Sequence, residues 1–187
     1  MTYDVTRLVL VGLVSGLRSQ LGVAAVALTT GPGESARPAS LFAGVWGKRV
    51  ASAGAAGELV ADKLPWTPSR LTPAGIASRM AFGGFAAVAL SSRERNGAPP
   101  VLAAAVGAAA SAVGTVAGAY WRRTVAEAGR PDWPAALLED AAALLLAYTA
   151  VGHTDAARYA VATAAGTASG AVSGAVTGAL TPSHGRG

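Results

Sequence analysis

Two carboxylates, Glu58 and Asp62, stand four residues apart in the element Gly57-Glu58-Leu59-Val60-Ala61-Asp62-Lys63-Leu64-Pro65. That spacing puts them on one face of a helix, where like charges repel. Asp62 also lies toward the helix C-terminus, the unfavourable end of the dipole for an anion. Both penalties vanish if a cation rests against the pair or if one carboxyl holds a proton. The chemistry on offer is therefore proton or cation handling, or an internal ion pair that fixes helix packing. Arg18, midway along an apolar stretch, is the natural counter-ion, and Lys63 can snorkel toward an interface. A second acidic pair, Glu139-Asp140, is adjacent in sequence, so its side chains point about 100° apart on a helix. It lies close to a helix start, where the dipole favours acids. One of the two is expected to cap or to sit at an interface, and the other to complete the first cluster across the bundle.

The surroundings of these charges are apolar. Of 187 residues, 52% are hydrophobic and 13% charged, with a mean hydropathy of +0.42; a soluble domain carries roughly a quarter charged residues. Pro100 to Trp121 and Tyr159 to Leu180 are each 22 residues without a charge. About 20 such residues span a bilayer as a helix, so the expected class is an integral membrane protein. Carboxylates in that setting face a bundle interior, a partner cation or a water-filled path. The net charge of +5 does not indicate nucleic acid, because the basic residues sit at the ends of apolar stretches (Lys48-Arg49, Arg93, Arg95, Arg122-Arg123). Membrane proteins place charge there to fix orientation, whereas a nucleic-acid binder needs a continuous basic surface.

Six helical segments are predicted between Pro/Gly/Ser-rich or charged breaks. The first runs from about Val5 to Leu28 with Arg18 near its middle. Its start imitates a signal peptide, with Ala25-Val26-Ala27 as a cleavage-like sequence, but Arg18-Ser19-Gln20 interrupts the apolar run, and the segment reads as the first membrane helix. A short acidic segment covers about Val50 to Leu64. The third begins at Thr72-Pro73, Thr as N-cap and Pro at the first helical position, and reaches about Leu90. The fourth spans Pro100 to Arg123, the fifth about Pro134 to Val151 and the sixth about Asp155 to Leu180. Residues 181–187 read as a disordered tail.

The order long, short acidic, long occurs twice, which predicts repeats over 1–95 and 96–180, a transporter-like architecture with its site at the repeat interface. If all six segments span, the Lys and Arg residues at the segment ends and in the connections split seven against six between the two sides. If the two short acidic segments re-enter instead, the split becomes nine against four, the clearer bias under the positive-inside rule.

The last segment carries Gly166, Gly170, Gly174 and Gly178, with Ser169, Ser173 and Thr177 alongside. Such a flat strip lets another helix approach closely and offers hydroxyls for interhelical hydrogen bonds; the expectation is packing within the chain or across a homo-oligomer. Gly107, Gly114 and Gly118 form a partial counterpart on the fourth segment. Tyr120-Trp121-Arg122-Arg123 and Trp133 read as an interfacial belt. Signals for enzymatic chemistry are missing from the sequence. There is no Cys, His153 and His184 are isolated without metal-ligand spacing, no Ser/His/Asp grouping is visible, and Gly44-Val45-Trp46-Gly47-Lys48-Arg49 lacks the spacing and hydroxyl of a P-loop. No enzyme activity, cofactor or metal is expected.

Gly16-Leu17-Arg18-Ser19, the Glu58 to Pro65 element, Pro68-Ser69-Arg70, Gly118-Ala119-Tyr120-Trp121-Arg122-Arg123, Pro131-Asp132 and Glu139-Asp140 together resemble bacterial membrane proteins grouped as domain of unknown function 4126. The resemblance implies a multi-pass protein of the bacterial inner membrane and carries no activity. A looser similarity links the acidic element to cation/proton exchangers with a Glu-x-Gly-Asp-Lys/Arg motif, from which the spacing here differs by one residue. The expectation is thus an all-α, polytopic membrane bundle of four long helices and two short acidic ones. It would be either a small transporter or channel for an ion, proton or small solute, using Glu58, Asp62, Arg18, Lys63, Glu139 and Asp140, or a non-transporting structural or assembly protein whose buried charges only fix packing.

Overall fold

The computed structural model describes residues 4–61, 71–129 and 132–152. Among them the protein is all-α, with six α-helices: α1 (Val5–Leu17), α2 (Leu21–Thr29), α3 (Val45–Ala61), α4 (Pro73–Ser92), α5 (Pro100–Glu127) and α6 (Asp132–Ala150), plus a 3-10 turn at Ala39–Phe42. The tail, Asp62, Lys63 and the glycine strip at Gly166, Gly170, Gly174 and Gly178 lie outside the described residues, as does the third segment of the second predicted repeat.

Helix starts follow the local chemistry. Thr72 is the N-cap of α4, its Oγ1 accepting from the Gly75 amide at 3.1 Å with Pro73 at the first helical position. Asp4 caps α1 by accepting from the Arg7 amide at 3.3 Å. Pro100 opens α5, where its missing N–H costs nothing because that donor has no intrahelical partner.

The first predicted segment is the main correction. It does not cross the bundle as one helix. The chain breaks at Arg18-Ser19-Gln20 and α2 folds back along α1, so that Gly22 packs against the Val11 carbonyl and the Ser15 hydroxyl. The far end of α2 returns to the level where α1 began: Arg93 follows α4 and donates to Thr29, while Glu94 beside it pairs with Arg7 near the start of α1. The result is a helical hairpin of 13 and 9 residues, about 20 Å and 14 Å long, with a polar tip. The expectation of four long membrane helices is corrected with it. Two described helices, Pro73–Ser92 and Pro100–Glu127, are long and apolar enough to cross a bilayer, and α1 is shorter. Of the two acidic segments, α6 is an unbroken 19-residue helix from Asp132 to Ala150, and α3 begins at Val45, five residues before its predicted start.

Three helices make the centre. α1 and α5 run parallel, with Gly12 beside Gly107 and Gly16 between Ser111 and Gly114; α4 runs antiparallel to α5, with Gly83 on Gly107 and Ser111. These glycines let the backbones touch. A Cβ on Gly12 would stand 2.5 Å from the Gly107 carbonyl oxygen, one on Gly114 2.6 Å from that of Leu13, and one on Gly16 would collide with the Ser111 carbonyl. The expected role of Gly107 and Gly114 in close packing is therefore observed, with α1 and α4 as their partners. Around this junction the core is built from Val11, Val14, Val26, Ala86, Ala87, Ala103 and Leu90, all fully or nearly fully buried. α6 lies along α1, and α2 and α3 cover the other flank.

Overpacking such a contact costs about 1–3 kcal/mol where the backbone can yield, and more where it cannot. Gly16→Leu is expected to destabilise the detergent-solubilised protein by at least that much, read as a lowered thermal unfolding midpoint. Gly57→Ala on α3, where nothing stands within 4 Å, is expected to be neutral or stabilising by about 1 kcal/mol. Equal midpoints for the two variants would show that close backbone contact is not what holds the centre.

Candidate functional site

The hairpin tip ends two helices inside the bundle, which exposes backbone groups that need partners. The carbonyls that close α1 are met from α4 and α5. Arg79 donates to the Gly16 oxygen at 3.1 Å and to Leu17 at 3.4 Å; the Thr115 hydroxyl, which also lies 2.8 Å from the Ser111 carbonyl of its own helix, stands 3.2 Å from the Gly16 oxygen and shares its one hydrogen between the two. The amides that open α2 are met from α3. Glu58 accepts from the Ser19 amide at 2.7 Å, the Ser19 hydroxyl at 2.6 Å and the Gln20 amide at 2.8 Å. A carboxylate at a helix N-terminus is the favourable sign for the dipole. Glu58 thus acts as an N-cap supplied from a different helix. Arg79 and Glu58 also face each other at 3.6 Å, both side chains about nine-tenths buried, so the two caps form one ion pair.

Arg18, at the tip itself, reaches α6: its Nε lies 2.7 Å and its Nη2 2.5 Å from one Asp140 oxygen. Arg18 is buried, while the Asp140 side chain keeps 32% of its surface exposed. The neighbouring Glu139 turns the other way. It is buried against Gly118, with one carboxylate oxygen 3.5 Å from the Arg122 Nε of α5. Of the acidic pair, Asp140 lines the tip cavity with Arg18 and Glu58, and Glu139 sits between α6 and α5. What differs is the partnering, since Glu58 is held by Arg79 and the hairpin amides while Arg18 bridges to Asp140. Asp62 and Lys63 lie outside the described residues.

Arg79 went unnoticed in the sequence although its signal was present. It is a lone cation seven residues into an apolar helix, the same feature that singled out Arg18. Ser111 and Thr115 belong to the same layer; the Ser111 hydroxyl donates to the Arg79 carbonyl at 2.7 Å.

Beside the tip is a cavity of about 210 Å³ lined by Arg18, Leu21, Ala55, Glu58, Asp140 and Leu144. Organic ligands usually occupy about 300–1,000 Å³, so this space suits a partly hydrated ion or a solute of few heavy atoms. Both signs of charge and three aliphatic side chains form its wall. No group of three or more His, Cys, Asp or Glu with metal-holding geometry occurs among the described residues. No protein-family model, curated protein or solved structure matches the chain.

Removing one partner of a buried pair strands the other. Arg18→Met is expected to destabilise the protein by about 1–3 kcal/mol, below the ~3–5 kcal/mol usual for a fully buried pair because water reaches Asp140. Adding Asp140→Leu should restore at least half of the loss, read by thermal unfolding in detergent. Additive losses in the double variant would mean that the two side chains are not coupled.

Proposed function

We propose that the protein is a small polytopic membrane protein that admits an ion, a proton or a small polar solute to the cavity beside the hairpin tip, as a transporter or channel. The observation that carries this reading is a cavity of about 210 Å³ at the tip of the helix hairpin, where Arg18, Glu58 and Asp140 meet an otherwise apolar wall that includes Leu21, Ala55 and Leu144. Irregular backbone is tolerated at membrane depth where it is enclosed by protein or lines a polar cavity, and broken helices that face such cavities are a recurring way to bind substrates. Membrane placement is supported by the two helices of sufficient length and apolarity and by large apolar side chains on the outer surface of α5, with Val101, Val113 and Val116 all exposed. The sequence resemblance to domain of unknown function 4126, which no matching family model accompanies, motivates the proposal of the bacterial inner membrane as the location.

A second reading, a structural or assembly protein, is favoured by a specific observation. Described charges near the tip form ion pairs: Arg18 with Asp140, Arg79 with Glu58 and Arg122 with Glu139. Matched pairs of this kind fix helix register without any ligand.

Proteoliposomes separate the two. Proton flux read by an enclosed pH dye, and Na⁺ or K⁺ currents read on a supported membrane, are expected for the wild type. They should fall about tenfold or more in Asp140→Asn, the scale of one lost charge-assisted hydrogen bond, while the variant keeps its helical content. Absence of any flux from the wild type, together with a lowered unfolding midpoint for Asp140→Asn, would establish the structural reading instead.

A further inference from the structure

The wall of the tip cavity favours one class of solute over the others. It carries one guanidinium, Arg18, two carboxylates, Glu58 and Asp140, and the side chains of Leu21, Ala55 and Leu144. The two carboxylates differ in what they have left to offer. Glu58 accepts from the Ser19 amide and hydroxyl on one oxygen and from the Gln20 amide on the other, so both oxygens are engaged. On Asp140 the Arg18 Nε and Nη2 both fall on Oδ1, and no hydrogen bond from the described residues reaches Oδ2. That side chain keeps 32% of its surface exposed. Asp140 is therefore the carboxylate of the wall with an acceptor to spare.

A bare Ca²⁺ or Mg²⁺ needs about six oxygens, and K⁺ filters replace the hydration shell with rings of carbonyl oxygens; one spare carboxylate oxygen does neither. A hydrated ion meets three aliphatic side chains that cannot bond its shell. An anion would face two carboxylates, and the guanidinium it needs is already turned onto Asp140. An organic cation suits both parts of the wall. Its N–H groups donate to Asp140 Oδ2 in a charge-assisted bond, and its alkyl body covers Leu21, Ala55 and Leu144. The nearby Arg18 charge limits such a guest to a single charge. At about 30 Å³ per water-sized unit, the 210 Å³ of the cavity holds roughly seven heavy atoms. We infer that the tip cavity binds a primary alkylammonium ion of about three to five carbons, its head on Asp140 and its chain along the aliphatic side chains. This rests on the reading of the cavity as a solute site and names the class of solute.

The test measures binding of labelled propylammonium to the purified full chain in detergent by scintillation proximity, with methyl-, ethyl- and butylammonium, Na⁺ and K⁺ as competitors. Affinity is expected to rise about fourfold with each methylene from methyl to butyl, and Na⁺ and K⁺ at the same concentrations should not compete. Asp140→Asn should weaken propylammonium binding about tenfold or more, with helical content checked by circular dichroism. Leu144→Ala, at a half-exposed position, keeps the charges and should shrink the gain per methylene while methylammonium affinity stays the same. An affinity that does not change along the series, displacement by K⁺ as effective as by propylammonium, or an unchanged affinity in Asp140→Asn would overturn the inference. Proton, Na⁺ or K⁺ flux in proteoliposomes without any alkylammonium binding would overturn this assignment alone and leave the solute reading in place. Neither flux nor binding of any of these cations by the wild type would remove both.

Discussion

Ending a helix inside an apolar bundle leaves carbonyls at one side of the break and amides at the other, with no water to take them. Each such group left unsatisfied costs several kcal/mol in a hydrocarbon setting. The turn at Arg18-Ser19-Gln20 creates that problem twice over, once for α1 and once for α2. The solution explains most of the charges in the interior. Carbonyls attract a cation, and Arg79 provides it; amides attract an anion, and Glu58 provides it. Because the orphan groups of the two helices lie side by side at the tip, the two caps are brought into range of each other and form a pair. The third charge at the tip, Arg18, belongs to the turn itself and needs an acid from elsewhere, which α6 supplies as Asp140. The interior carboxylates thus answer a backbone requirement before they answer any ligand.

The same requirement ties the glycines to the charges. The Thr115 hydroxyl reaches the Gly16 oxygen because Gly16 packs against the α5 backbone without a Cβ between them. Arg79 emerges into the tip because Gly83, one turn further along α4, lies on Gly107 and Ser111 and holds α4 close to α5. The Ser111 hydroxyl, bonded to the Arg79 carbonyl, fixes that register. Widening these contacts would lengthen the bonds from Arg79 and Thr115 to the Gly16 oxygen, already long at 3.1 and 3.2 Å. Close packing and charge satisfaction at the tip are one structural unit.

Much of this could be read from the chain. Thr72-Pro73 and Pro100 mark helix starts through capping and proline geometry, and both starts are observed. Glycines at helical spacing signal close approach, and Gly107 and Gly114 make it. The hairpin was not legible, because two short apolar helices joined by a three-residue turn have the same composition as one long helix. Hydropathy counts residues and does not record direction. The interruption Arg18-Ser19-Gln20 was visible, but its reading depends on Glu58 and Arg79, 39 and 63 residues away from Ser19 and Gly16. Charge alone could not assign partners either. Arg18 faces several acids in sequence, and only the antiparallel course of α6 along α1 sets Asp140 against it while turning Glu139 toward Gly118 and Arg122.

The pairing of charge at the tip constrains how any solute could use the cavity. Among the described residues Arg18, Arg79 and Arg122 pair with Asp140, Glu58 and Glu139, so a solute at the cavity would meet groups that already hold partners. One way for it to gain electrostatic energy is to take a partner's place, as a cation taking Asp140 from Arg18 or an anion taking Arg79 from Glu58. Each exchange removes a bond that satisfies the hairpin tip, and the orphaned group must then find the solute or shift. If a solute occupies the cavity, its binding and the position of the hairpin are coupled for that reason. The cavity is lined by Arg18, Glu58 and Asp140 together with Leu21, Ala55 and Leu144. The pair more open to such an exchange is Arg18–Asp140, since the Asp140 side chain keeps 32% of its surface exposed while both members of the Arg79–Glu58 pair are about nine-tenths buried.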